Sequence, residues 1–214
     1  MEEVLCWTAA GILAIIVVLY FLFELHYFLR TALSVVLARL CKRKLHILDT
    51  TSVHGLCLMT DVDTLLFHMN NARYLREIDF ARVDFYERTN LYRVIRAKGG
   101  AVVQGACTIR YRRFLRPFSI YKIVSKIVYW DDKSIFMEHR FVTPGDNFVR
   151  AIALCRQRII NANAEDVMKE LLGQPRPPGA AEAGVPVHKP EPPLELQKWL
   201  ESIEISSANL RNGC

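Results

Sequence analysis

Thr60-Asp61-Val62-Asp63-Thr64-Leu65-Leu66-Phe67-His68-Met69-Asn70-Asn71-Ala72-Arg73-Tyr74 sets two acids, a histidine and two asparagines immediately before a helical pattern. Over residues 74–89 the apolar residues Tyr74, Ile78, Ala81 and Phe85 recur at helical spacing, with Arg76, Glu77, Arg82 and Glu87 among the polar positions. This pattern predicts a long amphipathic helix whose N-cap is Asn70 or Asn71. The start of a helix presents backbone N–H groups that have no partner inside it, and these stabilise negative charge. Carboxylates placed just ahead of such a start are suited to acid, base or nucleophile work, with the helix end serving a developing oxyanion.

Beyond the helix the apolar period changes to two. Ala101–Tyr111, Ile120–Trp130, Ser134–Thr143 and Phe148–Ile160 read as strands, bounded by Gly99-Gly100, Pro117, Asp131-Asp132 and Pro144-Gly145-Asp146. Asp131-Asp132-Lys133 and Pro144-Gly145-Asp146-Asn147 read as hairpin turns. A short helix follows at Ala164–Leu172. One long helix followed by a run of long antiparallel strands predicts an α+β domain over residues 46–173, with the sheet packed on the helix.

Ahead of this domain, residues 4–23 carry no charge. That is about the 20 apolar residues a helix needs to span a bilayer. A cleaved signal peptide requires a basic start and a small-residue cleavage site. Here the start is Met1-Glu2-Glu3 and the run ends in Leu22-Phe23-Glu24-Leu25, which favours a retained anchor over residues 1–23. Arg30, Arg39, Lys42, Arg43 and Lys44 all follow the run, so the positive-inside rule places the C-terminal bulk in the cytosol. Cys6, Cys41, Cys57, Cys107, Cys155 and Cys214 show no close pairing and no metal-type spacing, and no N-x-S/T acceptor marks a lumenal domain.

Residues 24–45 mix apolar and basic positions, as either an amphipathic helix on an anionic membrane face or a helical stalk with a solvated basic face. Residues 174–193 are rich in proline, alanine and glycine and read as a linker. Residues 194–214 hold a final amphipathic segment through Leu194, Leu196, Trp199, Leu200 and Ile203. The net charge of +6 follows a hydrophobic run, so membrane lipid accounts for it better than nucleic acid does. No clustered Cys/His set suggests a metal, and no motif calls for a cofactor.

Asp61-x-Asp63, His68-x-Asn70-Asn71 and Tyr74 opening a helix resemble the start of hot-dog thioesterases of the 4-hydroxybenzoyl-CoA and acyl-ACP thioesterase group. The basic stretch Arg110-Tyr111-Arg112-Arg113 followed by Pro117-Phe118 resembles that group as well, and the likeness spans residues 46–170. It implies a hot-dog fold, a long helix wrapped by an antiparallel sheet. It also implies a homodimer with acyl-thioester sites at the subunit interface, and hydrolysis of acyl-CoA or acyl-carrier thioesters. On this resemblance Asp63 matches the catalytic acid, with Asp61 the competing carboxylate and His68 orienting water or Asp63. Asn70, Asn71 and Tyr74 fall at substrate-binding positions, with the backbone N–H groups of residues 71–74 facing the carbonyl. Arg110, Arg112, Arg113 and Arg116 would meet the phosphates of coenzyme A. The chain departs from the Asp-x-Asn-x-His pattern of acyl-ACP thioesterases. Thr64-Leu65-Leu66-Phe67 makes the Asp63–His68 spacing one residue longer and replaces the intervening asparagine with apolar residues.

Each of these residues has a plainer reading. Asp61 and Asp63 can end a strand and solvate a turn, and Asn70 and Asn71 can be helix caps. His68 can be a hydrogen-bonded structural residue, Tyr74 packing, and the arginines a solvated strand face. Glu77 and Asp79 lie in the helix and are expected on its surface, unless one of them faces the site of the neighbouring subunit. The sequence therefore predicts a membrane-anchored acyl-thioester hydrolase of lipid metabolism, with the endoplasmic reticulum as its membrane. The alternatives are a catalytically inactive hot-dog protein that binds acyl thioesters or scaffolds lipid enzymes, and a secreted protein if the N-terminal run is cleaved.

Overall fold

The computed structural model describes residues 1–176 and 189–213. It divides into two compact units, Met1–Lys42 and Arg43–Cys214. The first holds helix α1 (Glu2–Phe23) and helix α2 (Leu25–Leu40), interrupted at Glu24, whose φ is 47°. At about 1.5 Å per residue, α1 is roughly 33 Å long, close to the hydrocarbon thickness of a bilayer. Among the described residues it is the one helix long and apolar enough to cross a membrane.

The second unit runs β1 (Thr51–Leu56), a 3-10 turn at Met59–Asp61, α3 (Asn71–Arg88), α4 (Leu91–Ala97), β2 (Ala101–Tyr111), β3 (Ile120–Trp130), β4 (Ser134–Thr143), β5 (Phe148–Ile160), α5 (Ala164–Leu172) and α6 (Leu194–Arg211). The five strands form one antiparallel sheet in the order β1-β3-β4-β5-β2. The two turns expected from the sequence close the β3–β4 and β4–β5 hairpins. β1 and β2 occupy the two edges.

Helix α3 lies on one face of this sheet. Tyr74, Ile78, Ala81 and Phe85, the residues at helical spacing, are all buried. They meet alternate residues of the strands, among them Tyr121, Ile123, Phe141, Ala151 and Ala153 toward the start of the helix. Toward its end Phe85 joins Ile95, Ile135, Met137, Val167 and Leu171, so α4 and α5 close the same layer. Each fully buried Ile, Leu, Val, Phe or Met side chain of this layer contributes about 1.5–3 kcal/mol by leaving water. The helix starts at Asn71 because the Asn70 side chain accepts the N–H of Ala72 at 2.9 Å, which identifies Asn70 as the cap.

Glu77 departs from the expected surface position. It is 3% exposed, and the Tyr121 hydroxyl donates to its Oε2 at 2.7 Å. Gly55 on β1 faces Tyr121 in register, and a Cβ there would stand 2.4 Å from the tyrosine ring. The absent side chain thus leaves the space through which Tyr121 reaches Glu77. Under the same layer Ser125 and His139 are buried and hydrogen-bonded at 2.8 Å. Burial, with the Arg82 charge adding, pushes the His139 pKa down to about 3.

The opposite face of the sheet is covered by α6. Leu196 is fully buried with Val128, Phe136 and Leu154, while Trp199 and Leu200 pack at the margin. A bulge between Ile127 and Tyr129 puts Val128 and Tyr129 on this face together and returns Trp130 to the core. The linker expected at residues 174–193 lies mostly outside the described residues.

Candidate active site

The segment between β1 and α3 folds as a tight turn laced by its own main chain. An isolated antiparallel bridge joins Val62 and Met69. The N–H of Asp63 donates to the carbonyl of His68 at 2.9 Å, and that of Asn70 to the carbonyl of Asp61 at 2.8 Å. The N–H of Met69 donates to Leu115 at 2.8 Å, which docks the turn against the segment after β2. Thr64, Leu65, Leu66 and Phe67 fill the loop between the two halves of this bridge. Leu66 takes a φ of 56°, a left-handed conformation that favours glycine.

The two acids occupy different environments. Asp61 Oδ2 accepts the N–H of Leu58 at 2.9 Å, and Oδ1 lies 3.7 Å from Arg73 Nε. Asp63 Oδ1 accepts the N–H of Phe67 at 3.0 Å and of His68 at 3.4 Å, while Oδ2 lies 3.9 Å from His68 Nε2. The Phe67 N–H, with the His68 N–H and ring assisting, holds the Asp63 carboxyl below the usual carboxylate range. Asp63 is therefore an ionised carboxylate at neutral pH.

His68 is fixed from two sides. Its Nδ1 donates to the carbonyl of Met69 at 2.9 Å, an acceptor that leaves this nitrogen no other role. Its ring stacks on Phe114, with centroids 4.2 Å apart and planes at 8°. The remaining nitrogen is thereby turned toward Asp63.

At the start of α3, Asn70 takes up the Ala72 N–H through its side chain and the Arg73 N–H through its carbonyl. The Asn71 N–H, at the first position of the helix, is among the first-turn donors that Asn70 does not take up. The Asn71 carbonyl accepts the Tyr111 hydroxyl at 3.0 Å, and its side chain is exposed. Tyr74 is buried edge-on against Tyr111 and Phe141, at 5.0 and 4.9 Å between centroids, and burial raises its pKa to about 12.

Beside the turn opens a cleft of about 690 Å³ lined by Arg112, Arg113, Phe114, Arg116, Asp146 and Arg150, among others. Phe114 joins it to His68. The guanidinium carbons of Arg113, Arg112 and Arg150 lie 4.2, 4.9 and 5.2 Å from the centre of the Phe148 ring, so one aromatic gathers three cations. Arg150 also donates through Nε to the Thr143 hydroxyl at 2.8 Å and pairs with Asp146. The Thr143 hydroxyl and then the Phe148 N–H hold Asp146 below the usual carboxylate range.

Of the residues singled out from the sequence, the structure brings Asp63, His68, Arg112, Arg113 and Arg116 to one side of the domain. Arg110 alternates away from Tyr111 along β2, is exposed, and does not line the cleft. Arg150, Asp146, Thr143 and Phe148 belong to the β4–β5 hairpin and were not legible as partners of Arg112 and Arg113. The signal that joins them is the pairing of β2 with β5, where the N–H groups of both Arg112 and Arg113 donate to the carbonyl of Arg150.

A helix laid on a five-stranded antiparallel sheet, with an acid–histidine turn at the helix start, defines a hot-dog protein of thioesterase type. The chain belongs to the thioesterase-like superfamily, whose family model matches residues 57–200. It is 45% identical over 199 residues to the protein THEM6 of Drosophila melanogaster, covering 93% of this chain and 97% of that one. Its identity to the protein THEM6 of Xenopus laevis is 36%, over 93% of this chain and 90% of that one. Among solved structures, the probable thioesterase YbaW from Escherichia coli superposes with a TM-score of 0.53 at 25% identity. That match covers 56% of this chain and 95% of YbaW.

Proposed function

We propose that the chain hydrolyses acyl thioesters, with Asp63 as the reacting carboxylate. The observation that carries this reading is the Asp63 geometry. Its carboxylate is ionised, aimed by two backbone N–H groups, flanked by the fixed His68 ring, and close to the start of α3. Asp63 either attacks the thioester carbonyl or takes a proton from the attacking water, and the C–S bond then breaks to release acid and thiol. The Asn71 N–H is the donor for the developing oxyanion. Asp61 holds the turn through Leu58 and Arg73. His68 positions Asp63, and Asn70 sets the helix start. Tyr74 supports Tyr111 from the core.

Arg112, Arg113, Arg116 and Arg150 suit the phosphates of coenzyme A, which makes acyl-CoA the favoured thioester. Arg110 has no place in this cleft. The unpaired edge of β2 and the exposed Leu65, Leu66, Phe67 and Phe118 support a homodimer that covers them. Helix α1 serves as a retained anchor, and the basic residues after it put the domain on the cytosolic face of the endoplasmic reticulum. A mature chain beginning well beyond residue 23 by mass spectrometry would instead make the protein secreted.

The test is thiol release from an acyl-CoA series by the full chain in detergent, with Asp63→Asn alongside. Turnover lost in that variant supports the proposal, and equal turnover in both removes it. A second reading rests on the lengthened Asp63–His68 loop with its left-handed Leu66: the site binds acyl thioesters without cleaving them. Saturable acyl-CoA binding with no thiol release favours it.

A further inference from the structure

Cys107 on β2 and Cys155 on β5 are 48 positions apart in the chain and directly opposite in the sheet. Their sulfurs are 3.3 Å apart, and both are free thiols. Facing residues of an antiparallel pair have Cα atoms about 4.5–5.5 Å apart, inside the window of about 4.4–6.8 Å that a disulfide accepts. Closing the sulfurs to about 2.05 Å is a movement of little more than 1 Å. The two thiols differ in setting. Cys155 is fully buried in the core under α3, whereas Cys107 is half-buried near the sheet edge. The hydrogen bond from Cys155, with the Arg82 charge adding, lowers the Cys107 pKa; the same bond and burial raise that of Cys155.

We propose that Cys107 and Cys155 are a reversible redox pair that takes up a small hydroperoxide, Cys107 reacting first and Cys155 resolving it. The Cys107 thiolate sulfur attacks one peroxide oxygen. An S–O bond forms, the O–O bond breaks, and the alcohol or water leaves with the thiol proton. The Cys155 sulfur then displaces the oxygen from the sulfenic acid, forming the S–S bond and releasing water with the second thiol proton. The sulfurs together lose two electrons and the peroxide gains two. A dithiol reductant returns both thiols. The bond fastens the edge strand β2 to β5 on the face that carries Tyr111, whose hydroxyl holds the Asn71 carbonyl.

The experiment uses the reduced full chain in detergent, treated with hydrogen peroxide, alkylated and digested with trypsin. The expected product is peptide 99–110 joined to peptide 151–156, two hydrogens lighter than the separate peptides and parted again by dithiothreitol. Cys107→Ser abolishes it, and Cys155→Ala leaves a sulfenic acid at Cys107 that dimedone traps. The peptide map of the unsubstituted chain needs no variant to fold. Recovery of both peptides alkylated while the exposed Cys41 oxidises overturns the proposal, as does a link from Cys107 to a second chain. None of these outcomes depends on thioester turnover, so this inference and the proposed hydrolysis fail separately.

Discussion

The turn over residues 58–70 and the arginine cleft beside it hold their charged groups by opposite means. In the turn, backbone N–H groups grip the carboxylates of Asp61 and Asp63, and the turn is itself closed by main-chain bonds. In the cleft, three guanidiniums gather on one phenylalanine ring, and Arg150 is further bonded to Thr143 and Asp146. Under the proposed hydrolysis, a carboxylate meeting a carbonyl carbon needs direction, and main-chain donors supply it. Under the same proposal, a surface meeting several phosphates needs density of charge, and stacked side chains supply that while keeping their reach.

The sharpest way to break this contrast is Asp63→Asn, which keeps the shape and removes the charge. kcat is expected to fall by about 100-fold or more, the scale of a lost catalytic base, with KM little changed. Single-turnover and steady-state thiol release together check it, and an unchanged kcat would make the turn purely architectural. In the cleft, Arg113→Ala combined with Arg150→Ala is expected to raise KM for acyl-CoA about 10-fold, worth about 1.4 kcal/mol, with kcat retained. A truncated acyl thioester without phosphates should be indifferent to the same pair. If it suffers equally, the arginines serve the fold and not the phosphates.

Acid separates the site from its support. His139 is neutral in the folded protein down to about pH 3, while in the unfolded chain it takes a proton near its ordinary value of 6.5. The unfolded state therefore binds more protons below that value. Stability is intact above it and declines as pH falls, by about 1 kcal/mol between about pH 7 and 5.5. Asp63, held low, stays ionised across the same interval. Urea titrations at several pH values should show the decline, and His139→Gln should flatten it, while under the proposed hydrolysis the acid limb of kcat/KM stays below the usual carboxylate range, where the Phe67 N–H holds Asp63. Asp61→Asn carries the smallest effect. A loss of about 0.5–1 kcal/mol is expected from the weakened Leu58 and Arg73 contacts, with kcat within about threefold of the parent. A collapse of kcat there would reverse the roles of the two acids.

The sequence made the sheet more legible than the site. The alternation of β2 to β5 and their Gly, Pro and Asp boundaries marked each strand, because one face of each is packed under helices. β1 escaped notice: Thr51–Leu56 is short and carries His54 and Gly55 in place of a clean apolar alternation. α4 escaped because its seven residues follow Asn90 in a left-handed conformation and form too short a run to show a helical period. Asp63, His68 and Asn70 stood out because they are close in the chain. Arg150 did not, since only the β2–β5 pairing brings it to Arg112 and Arg113. Cys107 and Cys155 were invisible as a pair for the same reason. Glu77 was misplaced because a lone acid on a helix normally faces water, and its partner Tyr121 lies on a distant strand.

Gly55 has a consequence for inherited variation. Every replacement adds a carbon where the Tyr121 ring already stands, and that ring is fully buried with its hydroxyl committed to Glu77. Gly55→Ala should therefore act through the amount of protein in the cell: an overpacking cost of about 1–3 kcal/mol enlarges the unfolded fraction exposed to quality control. The molecules that survive should work at the normal rate. A carrier of such a variant would show a shortage of protein, measurable as a shortened half-life, with specific activity unchanged.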